Sequence, residues 1–404
     1  MISADEIAIP DHVAPESVFD FDIARDPLLI GEPHSGLFEL QKQAPEVFYT
    51  PRYGGHWIIQ SRDAIFEASQ DHEMFRSGGN DRVLLPISSN PPEHGAYRKI
   101  LLQAFSPKNV NAMLPMIRSM AVDLVSNVAD RGACEFVAEV SEPMPVIVFM
   151  KMLGLPLELM TPLRKLIIAA LEEGDPHKRN DIFDQQLVML DPVIRDRMEK
   201  PAGDMLSHIA SSEIDGRKPS FDEMQRYLLL LTNAGLDTVV NAMSFSVLHL
   251  ARNPALQEKL RGNPALIADA VEEFLRRYAP STIGRVVAQD ANFRGVNLRA
   301  GDRVLLLLPA ANLDAQAYPD PDDIVLRRNV PPMTFGTGIH RCLGSHLARL
   351  ELRVLLTEWL TRIPPFSLDQ QSPPQMHAGM VYTVDKLFLR WDPAKITAIR
   401  EKVA

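Results

Sequence analysis

Cys342 lies in the run Phe335-Gly336-Thr337-Gly338-Ile339-His340-Arg341-Cys342-Leu343-Gly344, just ahead of a helix-like stretch from Ser345 to Leu360. A thiolate at that place sits near free backbone N–H groups and the positive end of a helix dipole, and both favour the charged sulfur. Gly336, Gly338 and Gly344 let the main chain bend sharply and come close to a flat ligand. Together these features suit axial ligation of a haem iron by the cysteine.

A second group of reactive side chains falls inside an apolar helical pattern, Ala234-Gly235-Leu236-Asp237-Thr238-Val239-Val240-Asn241. An acid beside a hydroxyl in such a setting is costly unless it is paired or wet. One reading is structural: Thr238 bonds back to a carbonyl one turn earlier and bends the helix, and Asp237 is a satisfied buried acid. The other is functional: Gly235 opens a groove, Thr238 offers a hydroxyl to dioxygen, and Asp237 passes protons in from solvent. A third pattern, Glu273-Phe274-Leu275-Arg276, places opposite charges on one helix face. A fourth, His94-Gly95-Ala96-Tyr97-Arg98, follows Asn90-Pro91-Pro92-Glu93; a His and an Arg four apart can hold one anionic group between them.

The elements that must position these residues are mostly helical. Periodicity predicts helix over Val110 to Val128, in pieces from Leu157 to Met198, and over Ala265 to Tyr278. Ser220-Phe221-Asp222-Glu223 is a capping box that opens a long helix running to Ala251, before Asn253-Pro254. A helix that long and apolar on several sides must cross the middle of the protein. Gly54-Gly55-His56-Trp57 reads as a turn entering a strand. After Pro280 the chain turns strand-rich, with Gly284 to Ala288, Phe293 to Leu298 and Arg303 to Leu308, and Val381 to Trp391 reads as a final hairpin.

In order and approximate spacing, the four patterns resemble the cytochrome P450 family, and the resemblance runs from about Phe19 to Pro393. It is nearest the camphor-hydroxylating bacterial branch, through Gly55-His56-Trp57-Ile58, Val240-Asn241-Ala242-Met243-Ser244-Phe245-Ser246 and Trp391-Asp392-Pro393. What it implies is a mainly α fold with a smaller β portion, the haem held between the long central helix and the cysteine-loop helix. Residues 1–20 would form an irregular N-terminal arm and 21–404 a single domain. Haem b and O2 are the implied cofactor and co-substrate, for a monooxygenase. By the same resemblance Cys342 is the axial ligand, and Asp237 and Thr238 are the proton relay. His94, Arg98, Arg285, Phe335, His340 and Gly344 would contact the haem, four of them its propionates, and Glu273 with Arg276 would brace the core.

Substrate contacts are expected from Arg82, Leu84, Leu85, Leu230, Asn233, Ala234, Ser281, Ile283, Met380 and Val381. Most are apolar, which suits a small terpenoid or norisoprenoid bearing one oxygen. The loop Phe75 to Pro86 is shorter than in the camphor branch and lacks its tyrosine, so camphor itself is not the expected substrate. Two alternatives stand: an aromatic or fatty acid held by Arg82, or a thiolate-haem sensor without turnover, against which the intact Asp237-Thr238 pair argues.

Composition narrows the partners. A net charge of −10, from 52 acidic and 42 basic residues, excludes a nucleic-acid reader that works by phosphate neutralisation. Two cysteines in 404 residues are no disulfide framework and fit a reducing cytoplasm. Asn233, Asp237 and Asn241 break the longest apolar run, which argues for a buried helix over a membrane span. No four-cysteine cluster motif or reductase segment is present. Electrons are therefore expected from a separate [2Fe–2S] ferredoxin with its NAD(P)H-dependent reductase, docking on a basic patch that includes Arg341. Nothing demands more than a monomer.

Overall fold

Glycine and capping chemistry set the element boundaries throughout. The structure, a computed structural model, describes residues 8–78, 82–173 and 176–396. Gly54 and Gly55, at φ of 76° and 72°, turn the chain between strands Val47–Thr50 and His56–Ile59. These join a five-stranded sheet whose order continues through Arg303–Leu306, Ile283–Val287 and Phe75–Arg76. His56–Ile59 runs parallel to Arg303–Leu306 and the remaining pairs are antiparallel. Successive side chains on His56–Ile59 point to opposite faces. Trp57 and Ile59 accordingly enter a small sheet core, while Ile58 enters the large helical core.

The capping box at Ser220 and Glu223 is present, but the expected long helix is two. Phe221–Gly235 and Thr238–Arg252 are separated at Leu236 and Asp237. Asp237, at φ −122° and ψ −37°, is not helical. Gly235 is required by packing: a Cβ there would stand 2.5 Å from Cζ of Phe149. The pair is long and apolar enough to cross a membrane, yet 67% of its most apolar window is buried inside the fold. Thr238–Arg252 packs against Ile267–Arg277 and against the post-cysteine helix Ser345–Arg362. Met160–Glu172 and Pro176–Glu199 pack on each other, and the second also packs on Phe221–Gly235.

Three other expectations are corrected. Val110 to Val128 is divided into Pro107–Ala112 and Leu114–Ala129, the second opening with Pro115 in its first turn. Phe293 to Leu298 is a turn between Ala291–Phe293 and Val296–Leu298, since Arg294 and Gly295 take positive φ. Val381 to Trp391 does not fold on itself. Thr383–Lys386 pairs with Gln375–His377, whereas Phe388–Trp391 lies between Ala133–Glu135 and Phe366–Leu368. Alternation marked both segments as strands but carries no record of the partner. In the N-terminal arm, Val13 is buried and Val18 bridges to Tyr49.

One buried acid has a consequence for stability. Glu351, in the helix after the cysteine, is fully enclosed, its Oε1 has no hydrogen-bond partner, and burial pushes its pKa up to about 8. The folded state therefore holds this proton more tightly than the unfolded chain. Its stabilising effect is complete below the ordinary value of 4.5 and declines as pH rises towards 8. Glu351→Gln is expected to remove that slope, so that the melting temperature of the variant gains on the parent between pH 5 and 8; parallel curves would refute it.

Candidate active site

Cys342 is held by the main chain of its own loop. Its N–H donates to the Phe335 carbonyl at 2.9 Å. Gly336 and Gly338 take φ of 64° and 71°. A Cβ on Gly338 would fall 2.2 Å from the Ser69 carbonyl oxygen, so only glycine lets the loop lie against that helix end. A Cβ on Gly344 would sit 3.8 Å from the Cys342 sulfur. The side chain of Cys342 is accessible, although protein encloses it closely on its other sides. That enclosure raises the thiol pKa, against the Gly344 N–H and Arg98, Arg341 and Arg349, which all lower it. The expectation of a thiolate favoured by the helix end alone is thus only half met. Metal ligation, which requires a deprotonated sulfur, would overcome the desolvation.

Around the loop stands a cluster of cationic and donor groups. Helix Glu93–Ala104 carries His94 and Arg98 one turn apart, and Arg285 and His340 complete the set. The His94 and His340 rings lie 4.4 Å apart. His340 Nε2 meets Ser77 Oγ at 3.0 Å, while the buried His94 Nε2 has no partner. Arg98 donates to the Arg341 carbonyl, and Arg285 to the Gly284 carbonyl at 2.7 Å. Among the described residues no carboxylate forms a salt bridge with Arg98 or Arg285. Burial holds Arg285 down at about 10. Burial, then Arg285, His94 and Arg98, drive His340 to about 3. Four such groups enclosed without an acid are a site built for an anion.

The other wall is helical. On the Phe221–Gly235 helix and its continuation, Leu230, Asn233, Ala234 and Thr238 are partly or fully accessible. Spacings of three and four residues put them on one face. Thr238 Oγ1 donates to the Ala234 carbonyl at 3.3 Å, so the helix bend and the accessible hydroxyl occur together. Asp237 accepts from Asn241 Nδ2 at 3.0 Å and lies 3.5 Å from Arg164, which also reaches Glu142 at 3.0 Å. Burial still raises the Asp237 pKa, with Arg164 and then Asn241 opposing it. Arg164 was invisible to motif reading, because a lone arginine on helix Met160–Glu172 has no spacing that marks it.

A model of the family described as Cytochrome P450 matches residues 177–389. The chain belongs to the cytochrome P450 family. It is similar to "Probable cytochrome P450 127A1" of Sinorhizobium fredii, 33% identical over 95% of this chain and 97% of the relative. "Steroid C26-monooxygenase" of Mycolicibacterium smegmatis is 31% identical over 77% of this chain and 81% of its own. The crystal structure of CYP101J2 superposes with a TM-score of 0.87 at 34% identity over 96% of this chain and all of that one. That of CYP101C1 gives 0.88 at 32% over 95% of this chain and, likewise, all of its own. The P450 is therefore a monooxygenase near the CYP101 branch, with haem b as cofactor and O2 as co-substrate.

The residues present fit that group. The accessible sulfur of Cys342 would hold the iron, and the cluster of His94, Arg98, Arg285 and His340 would suit two propionates. Haem bound there supplies dioxygen binding and, through thiolate donation, cleavage of the O–O bond. Thr238 presents its hydroxyl on the accessible face, and burial shifts the neighbouring Asp237 carboxyl towards its neutral form. Phe335 backs the loop, with the Arg349 guanidinium 4.5 Å over its ring.

Glu273 and Arg276 pair with each other inside the core. Arg276 is wholly buried; its guanidinium meets both Glu273 oxygens, at 2.8 and 3.1 Å, and the carbonyls of Asn312, Pro321 and Asp323. Arg328, unmarked in the sequence, adds 2.9 Å to Glu273. Removing one partner strands a buried charge, so Arg276→Leu is expected to cost about 3–5 kcal/mol of stability. Chemical denaturation measures it, and a loss within about 1 kcal/mol would show the pair to be a replaceable ornament.

The remaining expected contacts fall in three places. Leu84 and Leu85 are buried in the main core. Ser281 bridges to Val381, and Thr282 donates to the Met380 carbonyl at 3.1 Å through both its N–H and its hydroxyl, which brings Ser281, Ile283, Met380 and Val381 together. Ile283 also abuts the cysteine loop, its Cδ1 3.3 Å from where a Gly336 Cβ would lie. Arg82 is ion-paired to Asp184 at 2.5 Å. Of the loop before it, Gly79, Asn80 and Asp81 lie outside the described residues.

Proposed function

We propose that this P450 hydroxylates a small terpenoid or norisoprenoid carrying a single oxygen. The observation that supports this most directly is the accessible stretch of the central helix, where the amide of Asn233 lies between apolar Leu230 and Ala234. Ile283, Met380 and Val381 extend the apolar lining, and the likeness to the camphor-hydroxylating branch points to the same substrate size. A carboxylic acid held by Arg82 is less favoured, because its guanidinium already has Asp184 and an acid would have to open that pair. Electrons come from a separate [2Fe–2S] ferredoxin and its NAD(P)H-dependent reductase. Exposed Lys108, Arg341 and Arg353 are the docking candidates near the cysteine face, suited to an acidic partner. Free Cys134 and Cys342 and the acidic chain are consistent with a monomer in a reducing cytoplasm.

The test is a titration of the purified haem protein, following the Soret band. Camphor, ionone-type norisoprenoids, cineole-like ethers, substituted benzoates and a steroid are added in turn. A low- to high-spin shift with a terpenoid is the expected result. A response confined to carboxylates transfers the reading to Arg82, and one confined to the steroid replaces the substrate class.

A further inference from the structure

The amide on the accessible face is locked in orientation. Asn233 Nδ2 donates to the Leu229 carbonyl at 2.8 Å and to Gln186 Oε1 at 2.7 Å. A main-chain carbonyl oxygen can only accept, so the atom facing Leu229 is the nitrogen and the amide cannot be turned over. Both amide protons are then engaged. Oδ1 remains, and it accepts a single long contact, from Gln186 Nε2 at 3.4 Å. A carbonyl oxygen has two lone pairs, so Asn233 retains acceptor capacity and has no donor to offer.

Gln186 explains how this is maintained. It reaches across from helix Pro176–Glu199, is fully buried, and engages Asn233 through both ends of its amide. Asn233 itself stays partly accessible, between Leu230 and Ala234 on the face that leads to Thr238. The second polar candidate, Ser281, has a hydroxyl that can donate or accept and so imposes no preference.

We propose that Asn233, clamped by Gln186 and the Leu229 carbonyl, accepts a hydrogen bond from a substrate hydroxyl, so that the pocket selects an alcohol over the corresponding ketone or ether. The inference rests on the terpenoid reading above and specifies the oxidation state of the substrate's oxygen. A ketone would set its own acceptor against Oδ1 and leave both unpaired in an apolar pocket, which is the situation in which hydrogen-bonding sites discriminate strongly. Gln186 is a positioning residue, acting through Asn233.

The experiment uses the haem-loaded protein and matched pairs on one skeleton, borneol with camphor and α-ionol with α-ionone, titrated by Soret shift and by calorimetry. The alcohol is expected to bind at least about tenfold more tightly than its ketone. Asn233→Leu should abolish that ratio. Gln186→Leu should shrink it by restoring ketone binding, because it releases an amide proton; a role in packing alone would weaken both ligands equally. Equal or tighter binding of the ketones by the unaltered protein would overturn the inference while leaving the terpenoid reading standing. Absence of binding by all four ligands, and by the cineole-like ethers as well, would sink both.

Discussion

Replacing Cys342 by serine is expected to abolish monooxygenase activity and the red-shifted Soret band that marks thiolate-ligated haem in its reduced CO complex. The sulfur is accessible on a loop that Gly336 and Gly338, both at positive φ, shape around it. A serine oxygen keeps the shape and removes the electron donation that thiolate provides. Because the change is nearly isosteric, the fold should survive, and circular dichroism with haem content measured on the same sample separates lost ligation from lost folding. A variant that kept a thiolate-type spectrum would assign the ligand elsewhere. The other cysteine, Cys134, is buried in the edge strand Ala133–Glu135, and that burial drives its thiol strongly towards the neutral form.

Asp237→Asn is expected to lower the turnover number by about a hundredfold with little change in substrate affinity. The carboxyl is enclosed, its pKa is raised by burial, and yet Arg164 and Asn241 hold it in place. A carboxyl can take and release a proton, whereas an amide of the same shape cannot. The solvent kinetic isotope effect should rise in the variant as proton delivery becomes limiting. Thr238→Ala should behave differently. As a relay, the pair would keep its acid and lose only the hydroxyl, so reduced nicotinamide should still be consumed while product yield falls and peroxide accumulates. An unchanged isotope effect in Asp237→Asn, or full coupling in Thr238→Ala, would show that protons enter by another route.

Both predictions concern residues that were legible before any coordinates, and the reason is local. Glycines that a loop cannot do without, a cysteine before a helix, and an acid and hydroxyl interrupting an apolar pattern are constraints that act over a few residues. They leave a mark in the sequence wherever the fold puts them. The capping box at Ser220 and the turn at Gly54-Gly55 belong to the same class. The close approach of Phe149 to Gly235 does not, because Phe149 comes from another helix.

By itself the sequence determined the family, its haem cofactor and the mainly α architecture, since each depends on short-range spacing. Only the tertiary structure decided which distant side chains complete those groups. Arg164 on Asp237, Arg328 on Glu273, Asp184 on Arg82 and Gln186 on Asn233 are each single polar residues on an ordinary helix or loop. Their partners lie far away in the chain, and no periodicity records a contact made across it. The separate pairing of Thr383–Lys386 and Phe388–Trp391 has the same origin: alternation fixes which face a residue points to, whereas the packing of the whole chain chooses the neighbouring strand.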